Sequence, residues 1–326
     1  MTGRAGVSGA GVTGVSGTGV SGTGVSGTGV STDLSHGGRW TSLRLAGREW
    51  LWLRYDPGRG LVVPGDRFVD AGGLEECVPT VRGEPDHGDA WARAWRDLGD
   101  GSAEADCGNF TLRRRITGGD DLIAARYRLT ASPGYRFVWA AHALLDVSAR
   151  ATLFLPGSPE VRLYPEAAPL LDRPWPAGAP FVTARWPGPG AAGGRHGAGG
   201  RHGAGGRHGA GGRHGAGRAG GLRFDRLGPD DGTAVGAIAL GCTSATVRDA
   251  GGRLRLSLHA DTGMPTSVAL WRNLGGFPED RPYRSIGVEP MLGSVFNLAE
   301  ARQPDDAVTV PRSGWVEWEL EIEAAA

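Results

Sequence analysis

The stretch GWVEWELEIE, residues 314–323, decides the fold class because apolar and polar side chains alternate along it. One face carries Val316, Trp318, Leu320 and Ile322. The other face carries Trp315 and four glutamates. A period of two residues is that of a β-strand with one buried face and one face in water. The sequence therefore predicts a strand of an antiparallel sheet at this position.

Comparable patterns recur outward from this stretch and predict further strands. They are GRLRLSLHA (252–260) after a turn at 249–252, WTSLRLAGREWLWLRY (40–55) with a turn at 46–47, TLRRRITGGDDLIAARYRL (111–129) with a turn at 118–119, and the apolar run RFVWAAHALLDV (136–147). No long stripe of period 3.6 with helix caps accompanies them. Many short strands with turn signals predict an all-β protein, a large antiparallel β-sandwich with few short helices.

Two low-complexity segments set the predicted domain boundaries. Residues 1–34 repeat VSGTG and have too little apolar surface to offset the entropy of ordering, so we expect a disordered tail. A Gly-rich segment at about 188–221 predicts a flexible loop. The sequence thus predicts a single β-sandwich domain over residues 35–325, interrupted by that loop.

Composition excludes several classes of partner. The formal net charge is zero, so no overall field favours nucleic acid or an anionic membrane. No apolar stretch approaches the length of about 18 residues that spans a bilayer, and the amino terminus lacks the apolar core of a signal peptide. Three scattered cysteines are too few for a disulfide framework or a cysteine-based zinc site. We expect a cytoplasmic protein, and the oligomeric state stays open.

A histidine repeat, GGRHGAGGRHGAGGRHGAGGRHGA (193–216), raises the question of a metal site. It holds four of the eight histidines, namely His196, His202, His208 and His214. Zinc needs several imidazoles that converge on it, and glycine spacers permit this without pre-organising it. An arginine precedes each histidine, and its charge repels a cation. We therefore expect an incidental surface loop and no metal, with metal binding by the repeat as the alternative.

The loop GEPDHGDAWARAW (83–95) is a candidate ligand site. Trp91 can stack on the C–H face of a sugar, while His87 and Arg93 can supply directional hydrogen bonds. The alternative is a solvated loop whose tryptophans anchor it in the core.

Two further titratable residues lie in apolar surroundings. His142 interrupts the run VWAAHALL, so its ring is either hydrogen-bonded in the core or faces a cavity. Glu289 follows the apolar residues 286–288 and precedes Pro290, which predicts that its strand ends there. A carboxylate at a strand end with apolar neighbours can serve as a base, although a plain edge glutamate has the same signature.

Taken in order, these motifs resemble those of the galactose mutarotase-like superfamily, the aldose 1-epimerases. The order is His87-Gly88, the mid-chain His142, WRNLGG (271–276) and then Glu289. The stretches GGLEECVPTV (72–81), PDHGDAW (85–91) and GVEPMLG (287–293) are most similar to a bacterial aldose-epimerase-like branch. The resemblance covers about residues 35–325 and leaves out the tail and the histidine repeat.

This resemblance implies an isomerase that interconverts the α and β anomers of a free sugar without a cofactor or metal. Glu289 would remove the proton of the C1 hydroxyl and His142 would protonate the ring oxygen, so that the ring opens, rotates and closes. His87 would bind and polarise the sugar near its ring oxygen. The other substrate-binding candidates are Trp91, Arg93, Trp271 and Asp231.

Two other functions stay open at this point. A non-catalytic carbohydrate-binding or sensor protein could use the same fold, because fold does not fix function. A phosphosugar 1-epimerase is the other alternative, and two or more arginines near His87 would favour it, because arginine forks suit phosphate.

Overall fold

The computed structural model describes residues 22–188 and 223–326. The strands of the first range are β1 (Thr23–Gly24), β2 (Val30–Asp33), β3 (Arg39–Leu45), β4 (Arg48–Glu49), β5 (Leu74–Cys77), β6 (Arg96–Gly99), β7 (Ser102–Asp106), β8 (Phe110–Gly118), β9 (Leu122–Ala131), β10 (Arg136–Phe137), β11 (Trp139–Leu145), β12 (Thr152–Phe154), β13 (Glu160–Leu163) and β14 (Val182–Arg185). Those of the second range are β15 (Thr233–Leu240), β16 (Ser244–Asp249), β17 (Gly252–Ala260), β18 (Thr266–Phe277), β19 (Tyr283–Leu292), β20 (Val308–Thr309) and β21 (Trp315–Ala325). Short 3-10 helices cover Pro57–Leu61, Ala90–Ala92, Pro165–Leu170, Leu298–Glu300 and Pro304–Asp306.

Most of these strands form two large antiparallel sheets. The first sheet has the order β1-β2-β3-β5-β11-β19-β18-β15-β13-β14, with β4 paired to β3. The second has the order β12-β16-β17-β21-β9-β8-β7-β6. The described residues therefore confirm the predicted all-β class with few short helices.

The inner faces of the two sheets pack together and form the main core. Trp139 of the first sheet lies with its ring centroid 5.0 Å from that of Tyr127 and 5.2 Å from that of Trp318, both in the second sheet. Such aromatic side chains bury large apolar areas and dominate core energetics. The alternation predicted for residues 314–323 is confirmed, because Val316, Trp318, Leu320 and Ile322 of β21 are all buried in this core.

The predicted turns at 118–119 and 249–252 are confirmed as well. The first joins β8 to β9 and the second joins β16 to β17, each pair antiparallel. The turn at 46–47 joins β3 to the short strand β4, which pairs with it over two residues.

The outer face of the first sheet carries a second, smaller apolar cluster and positions the candidate site. Along β11, alternate residues beginning with Trp139 enter the main core, whereas Ala140 belongs to the outer cluster. His142 follows Ala140 by two residues and therefore points to the outer face. Loop residues such as Phe296 cover this face and pack with Ala140.

The prediction that the strand ends at Glu289 is wrong, because β19 continues through Pro290 to Leu292. On one side of β19, strand β18 pairs with it through Glu289, Pro290 and Leu292. On the other side, the ladder with β11 pairs Ala140 with Met291 and resumes only at the Leu144–Gly287 pair. Proline has no N–H to donate, so it interrupts one ladder while the other holds the strand in place.

The first sheet begins before residue 35. β1 and β2 lie within the segment predicted as a disordered tail, and Val30 is buried in the main core. Backbone pairing with β3 orders this Gly/Ser/Thr-rich segment, and composition does not reveal that pairing. The rest of the predicted tail and almost all of the predicted loop at 188–221 lie outside the described residues, and the extent of a single domain stays a prediction.

In the described ranges, every helix is a short 3-10 turn, and none could cross a bilayer.

Candidate active site

Three charged residues form a row across the outer face of the first sheet. β11 pairs with β5 so that His142 lies opposite Glu75. The register between β11 and β19 places Glu289 opposite His142 on the other side. Residues directly opposite in an antiparallel pair point to the same face, so the imidazole stands between two carboxylates.

His142 and Glu289 form a buried hydrogen-bonded pair. Nδ1 of His142 lies 2.9 Å from Oε1 of Glu289, and the two residues are 7% and 2% exposed. Burial by itself lowers the pKa of His142, but the charge and hydrogen bond of Glu289 outweigh it and raise the pKa to about 9. His142 is therefore protonated at neutral pH, donates through Nδ1 to Glu289 and keeps Nε2–H for a ligand.

Gly287 provides the space that this pair needs. A Cβ at this position would lie 2.3 Å from Oε1 of Glu289 and 2.9 Å from Cβ of Trp271. Any larger residue would displace the carboxylate from His142. The glycine of the motif GVEPMLG thus has a steric role beside the site.

Arg59 neutralises the other carboxylate of the row. Its guanidinium donates to both carboxylate oxygens of Glu75, at 3.0 and 2.9 Å, and also to the carbonyl of Trp91. A bidentate arginine–carboxylate pair fixes the geometry of both groups. Glu75 is therefore held away from His142, which leaves Glu289 as its hydrogen-bonding carboxylate.

The loop that follows β5 brings a second imidazole to the site. His87 has a φ of 57°, a left-handed conformation that is uncommon for a non-glycine residue. Its ring stacks on Phe68 with centroids 3.7 Å apart and lies 5.3 Å from the ring of His142. Phe68 also meets His142 edge-on at 5.6 Å. The phenyl ring therefore contacts both imidazoles.

Asp86 fixes both His87 and Phe68. Its Oδ1 lies 2.8 Å from Nδ1 of His87, and its Oδ2 accepts a hydrogen bond of 2.9 Å from the backbone N–H of Phe68. Although burial opposes it, these hydrogen bonds lower the pKa of Asp86. Burial lowers the pKa of His87, despite its hydrogen bond to Asp86. At neutral pH the second pair is therefore an ionised carboxylate beside a neutral imidazole.

The two pairs face one cavity of about 530 Å³, which suits a small-molecule ligand. The described lining residues are Phe68, Asp70, Val81, Arg82, Asp86, His87, His142, Glu166, Ala234, Leu270, Trp271, Gly276, Phe277, Glu279, Glu289 and Phe296. Aromatic rings on several walls and a few convergent polar groups are typical of a small-molecule site.

The lining is acidic. It holds five carboxylates and one arginine, Arg82, which is itself paired with Glu166 at 2.7 Å. The positive charge of His142 offsets the negative charge of Glu289, and Asp70 accepts a hydrogen bond from the hydroxyl of Tyr283. The cavity therefore carries excess negative charge, which disfavours an anionic ligand.

Four of the predicted site residues come together in this cavity. Glu289, His142, His87 and Trp271 all line it. The ring of Trp271 packs edge-on against Phe277, with centroids 5.8 Å apart. The convergence of residues from β11, β18, β19 and the loop after β5 is the geometry that the candidate chemistry needs.

The other three predicted residues do not line the cavity. Trp91 is fully buried beneath it, where its Nε1 donates to the backbone carbonyl of Asp86 and its ring packs against Phe68. Arg93 lies in a separate surface depression, 3.7 Å from Asp89. Asp231 binds Thr233 and Arg272 and fixes the start of β15. Each of these side chains is directed to a neighbour in the fold.

Several cavity residues were missed by sequence reasoning. Phe68, Asp70 and Phe277 lie in irregular segments or at a strand end, where no periodic pattern marks them. Asp86 was not singled out as a site residue, although its position next to His87 was a usable signal. Arg82 and Glu166 meet across 84 residues of chain, and only the fold brings them together.

The described residues hold no group of three or more His, Cys, Asp or Glu side chains suited to a metal ion. The histidine repeat at 193–216 lies outside the described residues.

No protein-family model matches the chain, and no curated protein matches its sequence. Solved structures, in contrast, do match the fold of the chain. An Escherichia coli K12 protein described as a "putative aldose 1-epimerase" matches with a TM-score of 0.57 and 14% identity, over 91% of this chain and 95% of that one. A galactose mutarotase related enzyme from Lactobacillus acidophilus matches with a TM-score of 0.53 and 10% identity, over 93% and 96%. A galactose mutarotase-like protein from Lactobacillus casei matches with a TM-score of 0.51 and 15% identity, over 91% and 96%.

These structural similarities extend over nearly the whole chain, but the sequence identity is low. They therefore show a shared fold and nothing about activity. They agree with the resemblance drawn from the order of His87, His142, 271–276 and Glu289. The chain has the fold of the galactose mutarotase-like superfamily, which includes the aldose 1-epimerases.

Proposed function

We propose that the protein is an aldose 1-epimerase that interconverts the α and β anomers of a free sugar. The observation that carries this proposal is the His142–Glu289 pair, buried at the base of a sugar-sized cavity with His87 opposite. A paired acid and base suffices for ring opening and closure. The names of the structural neighbours support the same reaction class.

The proposed reaction moves two protons. Glu289 takes the proton of the C1 hydroxyl while Nε2–H of His142 protonates the ring oxygen, and the bond between C1 and the ring oxygen breaks. After rotation about C1–C2, the ring oxygen attacks the other face of C1. It returns its proton to His142, and the C1 oxygen recovers the proton held by Glu289. The cycle consumes nothing, which agrees with the expectation that no cofactor takes part.

Charge favours an uncharged sugar over a sugar phosphate as substrate. Arg82 is the one arginine among the described lining residues, and its ion pair with Glu166 occupies it. Two or more arginines near His87 would have favoured the phosphosugar alternative. The excess of carboxylates in the lining would instead repel a phosphate dianion.

Exchange of anomers by NMR, with a panel of free hexoses and pentoses, tests the proposal. We expect the wild type to accelerate exchange for at least one sugar. Glu289→Gln and His142→Asn should each lose about 10²–10⁴-fold in rate, which is the usual contribution of one acid or base. His259→Asn on β17 and Glu317→Gln on β21 are matched controls, because both side chains are exposed on the second sheet. A folded wild type that accelerates no sugar would contradict the proposal.

A non-catalytic sugar-binding protein is the second candidate. The observation that favours it is the direct bond between Glu289 and His142, because a base already engaged by its acid is less free to react. Calorimetry on the same panel separates the two. Sugar binding without anomer exchange would identify a binding protein.

A further inference from the structure

Asp86 and His87 form a second carboxylate–imidazole pair, which differs from Glu289 and His142 in the protonation of Nε2. Both oxygens of Asp86 accept hydrogen bonds, one from Phe68 N–H and one from Nδ1 of His87. Because the carboxylate is ionised and can only accept, Nδ1 of His87 must carry the proton. A neutral ring protonated at Nδ1 has an unprotonated Nε2, which can only accept.

The backbone of this loop is fixed in an unfavourable conformation to hold that ring. A positive φ at a residue other than glycine is unfavourable and persists only where the surroundings impose it. Here the backbone N–H groups of His87 and Gly88 donate to the carbonyls of Val81 and Pro85, and the ring of His87 stacks on Phe68. Strain of this kind clusters at functional sites, which agrees with the position of His87 in the cavity.

We propose that Asp86 is a positioning residue that makes His87 a hydrogen-bond acceptor, so that the sugar binds with a hydroxyl donated to His87 and its ring oxygen on His142. The inference rests on the proposed function, since it assigns the orientation of the same substrate. It follows from donor and acceptor chemistry, because a ring oxygen has no proton and can only accept. Of the two imidazoles, His142 is the donor, so the ring oxygen must lie there.

This assignment changes the role that the resemblance implies for His87. To polarise the ring oxygen, His87 would need a proton on Nε2. Its hydrogen bond to Asp86 instead keeps the proton on Nδ1. The rings of His87 and His142 are 5.3 Å apart, which lets both reach neighbouring oxygens of one sugar at about 2.6–3.2 Å.

Asp86→Asn tests the assignment without a change of shape. An asparagine can accept from Phe68 N–H with its oxygen, and its NH₂ group then donates to Nδ1 of His87. This forces the proton of His87 to Nε2 and turns the ring into a donor toward the cavity. Nitrogen-15 NMR of the imidazole reports which nitrogen is protonated. We expect Nδ1–H in the wild type, Nε2–H in Asp86→Asn, and a fall of at least tenfold in kcat/KM for the preferred sugar.

Two further variants keep the test decisive. His87→Asn removes the acceptor while tolerating the positive φ, so it should show a similar loss. Asp89→Asn changes a carboxylate of the same loop that pairs with Arg93 outside the cavity, and it should leave kcat/KM unchanged. If Asp86→Asn misfolds, the wild-type spectrum and His87→Asn still decide the matter.

The outcomes separate this inference from the proposed function. An active wild type with Nε2–H on His87, or an Asp86→Asn variant that switches the proton without loss of kcat/KM, would overturn the inference alone. A wild type that accelerates no sugar but shows Nδ1–H on His87 would overturn the proposed function. The acceptor role of His87 would then be tested by sugar affinity, which must fall in Asp86→Asn for the inference to survive.

Discussion

At the scale of single residues, the two histidines of the cavity differ through their neighbours. His142 is next to Glu289 in a buried pair, and its pKa is raised to about 9. His87 is next to Asp86 but burial dominates, and its pKa is lowered. Two chemically identical side chains thereby hold different charges at neutral pH, as acid and base chemistry in one cavity requires.

This difference predicts how stability depends on pH. Because the pKa of His142 is raised on folding, its pair with Glu289 stabilises the fold fully below the ordinary value of 6.5, and this contribution is lost as pH rises to about 9. At about 1.4 kcal/mol per pKa unit, the loss is at most about 3 kcal/mol. Urea denaturation of the wild type and His142→Asn at pH 6.5 and 9 measures it.

The curves should differ in slope over that range, the wild type losing more stability than the variant. The other titratable groups facing His142 are Glu75, Asp70 and His87, and subtraction of the variant's curve removes much of their own titration. Parallel curves would show that folding leaves the affinity of His142 for protons unchanged.

The site was only partly visible in the sequence at this scale. His142 and Glu289 could be chosen because each has apolar neighbours in the sequence, and His87 because it lies in a loop with acidic residues and tryptophans. Their convergence could not be derived, because His142 and Glu289 are 147 residues apart and meet only through the register of β11 and β19. The candidates Trp91, Arg93 and Asp231 were chosen for chemical type, and local packing directs them elsewhere.

At the scale of elements, sequence period predicts strands well where one face is wet. β21 alternates because its polar face is exposed, and the hairpins β8–β9 and β16–β17 follow turn residues. β19 was misjudged at Pro290, because a missing N–H interrupts only one of the two ladders. β2 escaped notice because backbone pairing, rather than side-chain pattern, orders it.

The alternation of β5 places two adjacent glutamates in different environments. Glu75 faces the outer side of the sheet, whereas Glu76 enters the core between the sheets. There Glu76 is fully buried and accepts hydrogen bonds from Arg114, Tyr127 and Trp139. A buried charge of this kind depends on its partner.

Arg114→Met should therefore destabilise the fold by about 3–5 kcal/mol, because it leaves Glu76 as a buried carboxylate without a cation. Arg126→Met is the control on the neighbouring strand β9. Arg126 pairs with Glu319 on the exposed face, where solvent screens the pair, so its loss should not measurably change stability. Urea denaturation of both variants checks this, and equal free energies of unfolding would show that Glu76 does not need Arg114.

At the scale of the whole molecule, the residues that flank the segment with the histidine repeat contact each other directly. The backbone N–H of Phe224 donates to the carbonyl of Pro187 at 2.8 Å, so the two sides of the gap between residues 188 and 223 are bonded directly. The rings of Trp186 and Phe224 stack, and both belong to the main core. The fold therefore holds both ends of this segment in place through contacts of its own.

Deletion of residues 193–216 should for this reason leave both folding and anomer exchange unchanged. The contacts of Trp186 and Phe224 lie outside the deleted stretch, and so does every described residue that lines the cavity. Thermal unfolding and NMR exchange on the deletion variant check these two expectations. Calorimetric titration of zinc into both proteins addresses the histidines, and we expect equal stoichiometry. Zinc sites present in the wild type and lost in the deletion would instead assign metal binding to the repeat, independently of the sugar chemistry at His142 and Glu289.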